Sequence, residues 1–341
     1  MSPVRALIVD DSAAMRALLN RILSADPEIE VVGMAPEPHA ARAMIKELNP
    51  DVVTLDIEMP GMDGLSFLEK IMRLRPMPVV MCSTLTARGA EATVEALRLG
   101  AVDCIAKPTG NPLEIAQDAA HLCRTVRNAG RASVRTRSTA PAPVAAPAPA
   151  GGFRDVLIAI GASTGGVEAL FELLRTMPAD CPPILIVQHM PASFTGSFAA
   201  RLDRECAVRV VEATDSMPVE RGTVYIAPGG ENHMTLVGGL RGRLRLRPGA
   251  RHSNHRPSID LLFQSVAPLG GQAVGAILTG MGADGAQGLL AMRQAGARTF
   301  GQSRESCVIY GMPRVAAELG AVEREIGLSV MAEAILGACR S

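Results

Sequence analysis

Across residues 130–152 the hydrophobic rhythm of the chain stops, and over residues 140–150 alanine and proline take over. A tract with so little to bury cannot belong to a core, so it must divide the chain. At 341 residues the protein is also long for one ordinary core. The sequence therefore reads as a first domain over residues 1–123, a linker over 124–152 and a second domain over 153–341. No acidic residue lies between Ala119 and Arg154, whereas Arg124, Arg127, Arg131, Arg135 and Arg137 do. The linker is expected to be a basic, solvated spacer, with its arginines available for docking.

On each side of the tract, apolar runs alternate with stretches of helical spacing. Residues 6–9, 29–32, 52–55, 79–81 and 104–106 read as five strands separated by helices, which predicts an α/β domain with a five-stranded parallel sheet of flavodoxin-like type. Residues 156–160, 184–187, 224–226 and 273–278 continue the pattern, with weaker signals at 208–211 and 244–246. This predicts a second, doubly wound α/β domain with a mostly parallel sheet. In such sheets ligands gather at the carboxyl ends of the strands.

Composition excludes several function classes. Lys+Arg and Asp+Glu both total 34, so no net field draws the protein to nucleic acid or anionic lipid. Seven cysteines, an odd number with no C-x-x-C pair, argue against a disulfide framework and a zinc site and read as reduced core residues. The chain enters a strand-like run at once and has no apolar stretch of spanning length, so no signal peptide and no transmembrane segment are expected, and a cytoplasmic location follows.

Asp10 and Asp11 follow the first predicted strand and Asp56 the third, which brings three carboxylates to one sheet edge. Each alone could be a helix cap. Together they repel unless a cation joins them, and oxygen-only ligands favour a hard ion such as Mg2+. Thr84 closes the fourth strand and Lys107 follows the fifth, adding a hydroxyl and an ammonium suited to phosphate oxygens. On these residues the first domain resembles the receiver domain of two-component response regulators. The resemblance implies that Asp56 is the phospho-acceptor, that Asp10, Asp11 and Asp56 hold Mg2+, and that Thr84 and Lys107 read the phosphoryl group. A histidine kinase would then be the phosphodonor. Where many receivers carry an aromatic residue three positions before the lysine, this chain has Cys104, so the signal is expected to pass mainly through Thr84 and its loop.

In the second domain the buried-strand run 156–160 leads into Gly161-Ala162-Ser163-Thr164-Gly165-Gly166 and then a helix. A serine there sits near helix N–H groups that favour a developing anion. The same turn could hold a nucleotide or simply join strand to helix, although G-x-G-x-x-G needs glycine where Ser163 stands. His189 ends the run 184–188 at the same edge and could serve as a general base. Asp284 lies in the glycine-rich segment 279–285, flexible enough to aim a carboxylate at an imidazole. The order Ser, His, Asp differs from the Ser, Asp, His of α/β-hydrolases.

With Gln188-His189-Met190-Pro191 and His255-Arg256-Pro257-Ser258 added, these segments closely resemble the catalytic domain of the chemotaxis protein-glutamate methylesterases. The resemblance implies a nucleophile at Ser163, a base at His189, its orienter at Asp284 and an oxyanion donor in the Met281 backbone N–H. It also implies hydrolysis of glutamyl methyl esters on methyl-accepting chemoreceptors with release of methanol, deamidation of receptor glutamines, and no cofactor for ester hydrolysis. His255 and Arg256 either line the cleft or serve the fold. His252 and His255, with no carboxylate or thiolate beside them in sequence, do not read as a metal site.

Overall fold

Most apolar runs of the first half form strands because they are buried on both faces of a parallel sheet, the run at 29–35 being a half-exposed edge, and the stretches between them wind into amphipathic helices. In the computed structural model, which describes residues 2–59, 63–84, 86–108, 112–132 and 152–340, the chain divides into two units, Met1–Thr139 and Ala140–Ser341. The first contains β1 (Val4–Val9), α1 (Ala13–Ser24), β2 (Ile29–Ala35), α2 (Pro38–Leu48), β3 (Val52–Asp56), α3 (Gly64–Leu74), β4 (Val79–Ser83), α4 (Ala87–Arg98), β5 (Asp103–Ala106) and α5 (Pro112–Gly130). The strands pair in parallel in the order β2-β1-β3-β4-β5. From β1 the chain passes first to β2 on one side and later to β3 on the other. This reversal opens a crevice above the carboxyl ends of β1 and β3.

One boundary differs from the sequence reading. Residues 124–130, assigned above to the linker, are the last turns of α5. Leu122, Cys123, Val126 and Ala129 recur at helical spacing and are buried, while the polar residues between them hide that stripe in a composition count. Arg127 and Arg131 are not a free basic tether, since Arg127 pairs with Asp26 and Glu28, and Arg131 with Glu28 at 2.8 Å. Arg135, Arg137 and the Ala/Pro tract lie outside the described residues.

The second unit contains β6 (Leu157–Ala162), α6 (Gly166–Leu174), β7 (Ile184–Gln188), α7 (Ala192–Glu205), β8 (Arg209–Glu212), β9 (Thr223–Ile226), β10 (Asn232–Val237), β11 (Arg243–Pro248), α8 (Ile259–Val266), β12 (Ala273–Ile277), α9 (Ala286–Gln294), β13 (Arg298–Gln302), α10 (Met312–Glu318), β14 (Arg324–Ile326) and α11 (Leu328–Ala338). Seven strands form a parallel sheet in the order β14-β13-β12-β6-β7-β9-β8, and β10 and β11 make a separate antiparallel hairpin. The topological switch lies between β6 and β12, with β7 on the far side of β6. Leu157, Ala159, Leu185, Phe263 and Ile277 are among the residues that fill the core against this sheet.

Strands β10, β13 and β14 carry no clear signal in the sequence. β13 is Arg-Thr-Phe-Gly-Gln with one large apolar residue, and β14 is three residues long at the sheet edge. Tertiary pairing rather than local preference makes them strands.

All seven cysteines are free. Cys82, Cys104, Cys123, Cys181, Cys307 and Cys339 are buried, and Cys206 is half-buried. Burial pushes the Cys181, Cys307 and Cys339 thiols up to about 12. Among the described residues no helix is long and apolar enough to cross a membrane.

The end of α5 gives a direct test. Val126 is fully buried, so Val126→Asp should destabilise the first unit by about 3 kcal/mol or more by burying an unpaired charge. In urea unfolding of the full chain this appears as an earlier transition, whereas a solvated linker would tolerate the change.

Candidate functional site

In the second unit, three loops meet where the strand order reverses. Ser163 follows β6, His189 follows β7, and residues 279–285 follow β12. Ala162 pairs with Gln188 in the β6–β7 register, so Ser163 and His189 are the next residues out on adjacent strands. The turn at Ser163 closes through the Gly166 N–H, which donates to the Ser163 carbonyl at 2.7 Å. Gly165 takes φ +76° and ψ −1° in that turn, a left-handed conformation that glycine adopts without strain. The Gln188 side chain donates to the carbonyls of Ser163 (2.9 Å) and His189 (3.0 Å) and ties the two loops together.

From the other side, the Ser163 N–H donates to the Thr279 carbonyl at 3.0 Å. The next residue, Gly280, lies so close to the serine that a Cβ there would come 2.7 Å from Ser163 Cβ and 2.4 Å from Met312 Sδ. Thr279 is itself fixed, its N–H donating to Gln302 Oε1 at 2.8 Å and its hydroxyl to the Thr164 carbonyl at 3.1 Å. Met281 follows on the exposed rim, and its N–H donates to no backbone carbonyl among the described residues.

His189 Nε2 lies 2.9 Å from Asp284 Oδ2, and both side chains are almost wholly buried. Nδ1 on the same ring is buried and has no hydrogen-bond partner. Asp284 is held at the N-terminus of α8: its Oδ2 also accepts from the Ile259 N–H (2.8 Å), and its Oδ1 accepts from the Ser258 hydroxyl (2.8 Å) and the Asp260 N–H (3.1 Å). Burial would raise this carboxyl, but the His189 contact and the helix N–H groups outweigh it and hold it at about 2. The geometry thus sets an ionised carboxylate behind an imidazole with one nitrogen left over, beside a serine.

Ser258 and the first N–H groups of α8 are the supporting residues that sequence reasoning missed. The segment containing Ser258 carries a resemblance, and Ser258 caps α8 by accepting from the Leu261 N–H at 3.4 Å. A serine ahead of an apolar helical run is a signal that could have found the cap, but not its address beneath Asp284. His233 and Gln188 likewise act from a distance in sequence, His233 Nδ1 accepting from the Ser258 N–H at 3.1 Å. Arg256 turns to the fold, donating from Nε to the Gly230 carbonyl (2.8 Å) and from Nη1 to the Gly249 carbonyl (2.6 Å).

In the first unit the carboxyl ends of β1 and β3 bring Asp10, Asp11 and Asp56 together, with one oxygen of each within 4.8 Å of the others. Asp10 and Asp56 are buried, and Lys107 Nζ bridges them at 2.9 and 2.7 Å. Burial raises the Asp56 carboxyl and the Asp10 charge adds to that, while Lys107 and the Glu58 N–H oppose it. Burial would lower the Lys107 ammonium, but its two carboxylate partners raise it overall. Three carboxylates with oxygen-only donors and a single bridging cation fit a hard divalent ion such as Mg2+.

Thr84 stands at the end of β4, where its hydroxyl lies 3.3 Å from that of Thr86, the cap of α4, and makes no hydrogen bond to Asp56. Cys104 is buried on β5 beside Met81. It offers no ring whose rotation could report a change at Asp56.

Comparison with known proteins agrees with both halves. Residues 158–335 match the family model of the CheB methylesterase, and residues 6–118 match that of the response regulator receiver domain. A protein-glutamate methylesterase/protein-glutamine glutaminase 1 from Caulobacter vibrioides is 58% identical over 342 residues, covering 98% of each chain. A protein of the same description from Rhizobium johnstonii is 54% identical, over 98% of this chain and 96% of its own. Among solved structures, the Thermotoga maritima CheB methylesterase catalytic domain is 34% identical with a TM-score of 0.52, covering 53% of this chain and 97% of that one.

Asp284 generates a stability prediction. Its folded value near 2 lies below the ordinary aspartate value of about 3.9. Ionised Asp284 therefore contributes on the order of 2 kcal/mol above about pH 4, and the contribution fades as pH falls toward 2. Ser258→Ala removes one donor and the cap of α8, and should cost about 1–3 kcal/mol at neutral pH. Urea unfolding across about pH 2–7 should show the gap between wild type and variant narrowing at the acid end, as Asp284 protonates.

Proposed function

The chain belongs to the CheB methylesterase family, as an enzyme of the protein-glutamate methylesterase/protein-glutamine glutaminase class with a response regulator receiver domain at its head, and from this premise we propose how its residues carry the reaction. The substrate is the methyl ester of a glutamyl side chain on a methyl-accepting chemoreceptor. Ser163 Oγ attacks the ester carbonyl and its proton passes to His189 Nδ1. Asp284 stabilises the imidazolium that results, and the Met281 N–H donates to the oxyanion. The C–O bond to the methoxy group then breaks, with His189 returning the proton so that methanol leaves. Water, deprotonated by His189, attacks the acyl-serine, and receptor glutamate and free Ser163 are regenerated. A glutamine side chain enters the same sequence with ammonia as the leaving group.

The single observation that supports this reading most strongly is the 2.9 Å contact between His189 and an Asp284 kept ionised by the α8 terminus, with Nδ1 of the ring left without a partner and Ser163 the next residue out on the adjacent strand.

The receiver supplies control. Asp56 takes the phosphoryl group from a histidine kinase, and Asp10, Asp11 and Asp56 would hold Mg2+, which would offset the negative charge of the phosphoryl oxygens. Lys107, already between Asp10 and Asp56, turns to those oxygens. Thr84 exchanges its contact with Thr86 for one with the phosphoryl group, and this carries the signal in the absence of an aromatic residue at Cys104.

Methanol release from methylated receptor membranes, with and without acetyl phosphate as a small phosphodonor, tests the proposal. Ser163→Ala should lower the rate at least about a thousandfold. Asp56→Asn should retain basal release and lose its stimulation by acetyl phosphate. Deletion of residues 1–150 should raise basal release, since the receiver restrains the enzyme until it is phosphorylated. Full release from Ser163→Ala would overturn the chemistry, and unchanged release after the deletion would overturn the restraint.

A further inference from the structure

Residues 252–255 form a tight two-residue turn. The His252 N–H donates to the His255 carbonyl at 3.0 Å, and the His255 N–H donates back at 2.9 Å. Ser253 and Asn254 between them have φ of +49° and +66°. Two successive left-handed residues closed by a reciprocal pair of hydrogen bonds make a rigid connection, with little freedom in the side chains' starting directions.

The turn lays the His255 ring flat on that of His189. The ring centroids are 3.8 Å apart and the planes are parallel, at 0°. The turn is anchored on its far side, where Arg256, next after His255, ties the segment to the Gly230 and Gly249 carbonyls, and on the near side His252 Nε2 lies 3.7 Å from Asp260 Oδ2, beyond hydrogen-bond distance. Asp260 is buried in the first turn of α8, where its Oδ1 accepts from the Gly288 N–H at 2.7 Å.

A hydrogen bond from Nε2 to Asp284 fixes one atom of the His189 ring but not the tilt of its plane about that bond. Nδ1 swings with the tilt, and proton transfer to or from it falls steeply with misalignment. A flat partner against the ring removes that freedom.

We propose that His255 is a positioning residue for the reaction, holding the plane of His189 so that Nδ1 stays aimed at Ser163 through both proton transfers. The inference rests on the assignment of His189 as the base. What it requires of residue 255 is a flat ring, so an aromatic replacement should serve and an aliphatic one should not.

The test uses the full chain activated with acetyl phosphate, and measures kcat and KM for methanol release from methylated receptor membranes. His255→Ala, His255→Leu and His255→Phe are compared with wild type and with Ser163→Ala, with thermal melting of each variant alongside. The expected result is a fall in kcat of about three- to tenfold for Ala and Leu, with KM within about twofold of wild type, and recovery of most of the rate with Phe. Wild-type kcat in His255→Ala or His255→Leu would overturn the inference. So would an equal loss in Phe and Leu, or a loss confined to KM. If His255→Ala melts early, the comparison of Leu with Phe decides in the same way. Retained turnover in Ser163→Ala would instead overturn the reading on which the inference rests, whereas a dead Ser163→Ala beside a fully active His255→Leu would remove the inference alone.

Discussion

A carboxylate with almost no access to water sits at the centre of the second unit, and the arrangement around it follows from the need to keep it charged. Asp284 is tolerated there because a hydroxyl, two N–H groups of a helix terminus and one imidazole converge on its two oxygens. An unpaired buried charge would be far costlier than the fold could bear. The same donors decide where α8 begins, how the loop after β12 turns, and which nitrogen of His189 is left over. Helix α8 is thus both a core element, through Leu262 and Phe263, and the electrostatic floor of the site.

The first unit solves a related problem by other means. Asp10 and Asp56 are as deeply buried as Asp284, but a lysine ammonium rather than a helix terminus compensates them. Fixed N–H groups give a permanent, low-lying pKa, which suits a carboxylate that never leaves its role. A side chain on a flexible stem can follow a new negative charge when one arrives. Asp56 is raised by burial and by Asp10 and is opposed by a flexible ammonium, whereas the fixed donors around Asp284 hold it low. Both sites lie where a parallel sheet reverses its winding, because only there do loops from adjacent strands part to leave a crevice.

Much of this was legible in the sequence because parallel strands are buried on both faces and read as continuous apolar runs. Their ends are visible, and so are the residues that follow them: Asp10, Asp56, Lys107, Ser163 and His189. What was not legible depends on addresses rather than types. Ser258 went without a role in the sequence, and although a serine ahead of a helix can signal a cap, nothing local says that Asp284 lies on it. The partnership of His189 with His255 comes from a turn far along the chain. Strands β13 and β14 are too short and too polar to announce themselves. The end of α5 was misplaced because composition, poor in acidic residues and rich in arginine, masked a buried stripe that continues to Ala129.

The seven cysteines, unremarked by the chemistry, give the molecule an experimental property of its own. Six are enclosed, and burial holds their thiols far from ionisation, so the nucleophilic thiolate is nearly absent at neutral pH. Cys206, partly accessible and raised to about 11, is the one that an alkylating reagent meets first. With that position replaced, the protein becomes a quiet background for spectroscopy. One surface cysteine placed in each unit could then carry a fluorophore or a spin label, and the distance between the units could be followed while the phosphorylation state of the receiver is changed.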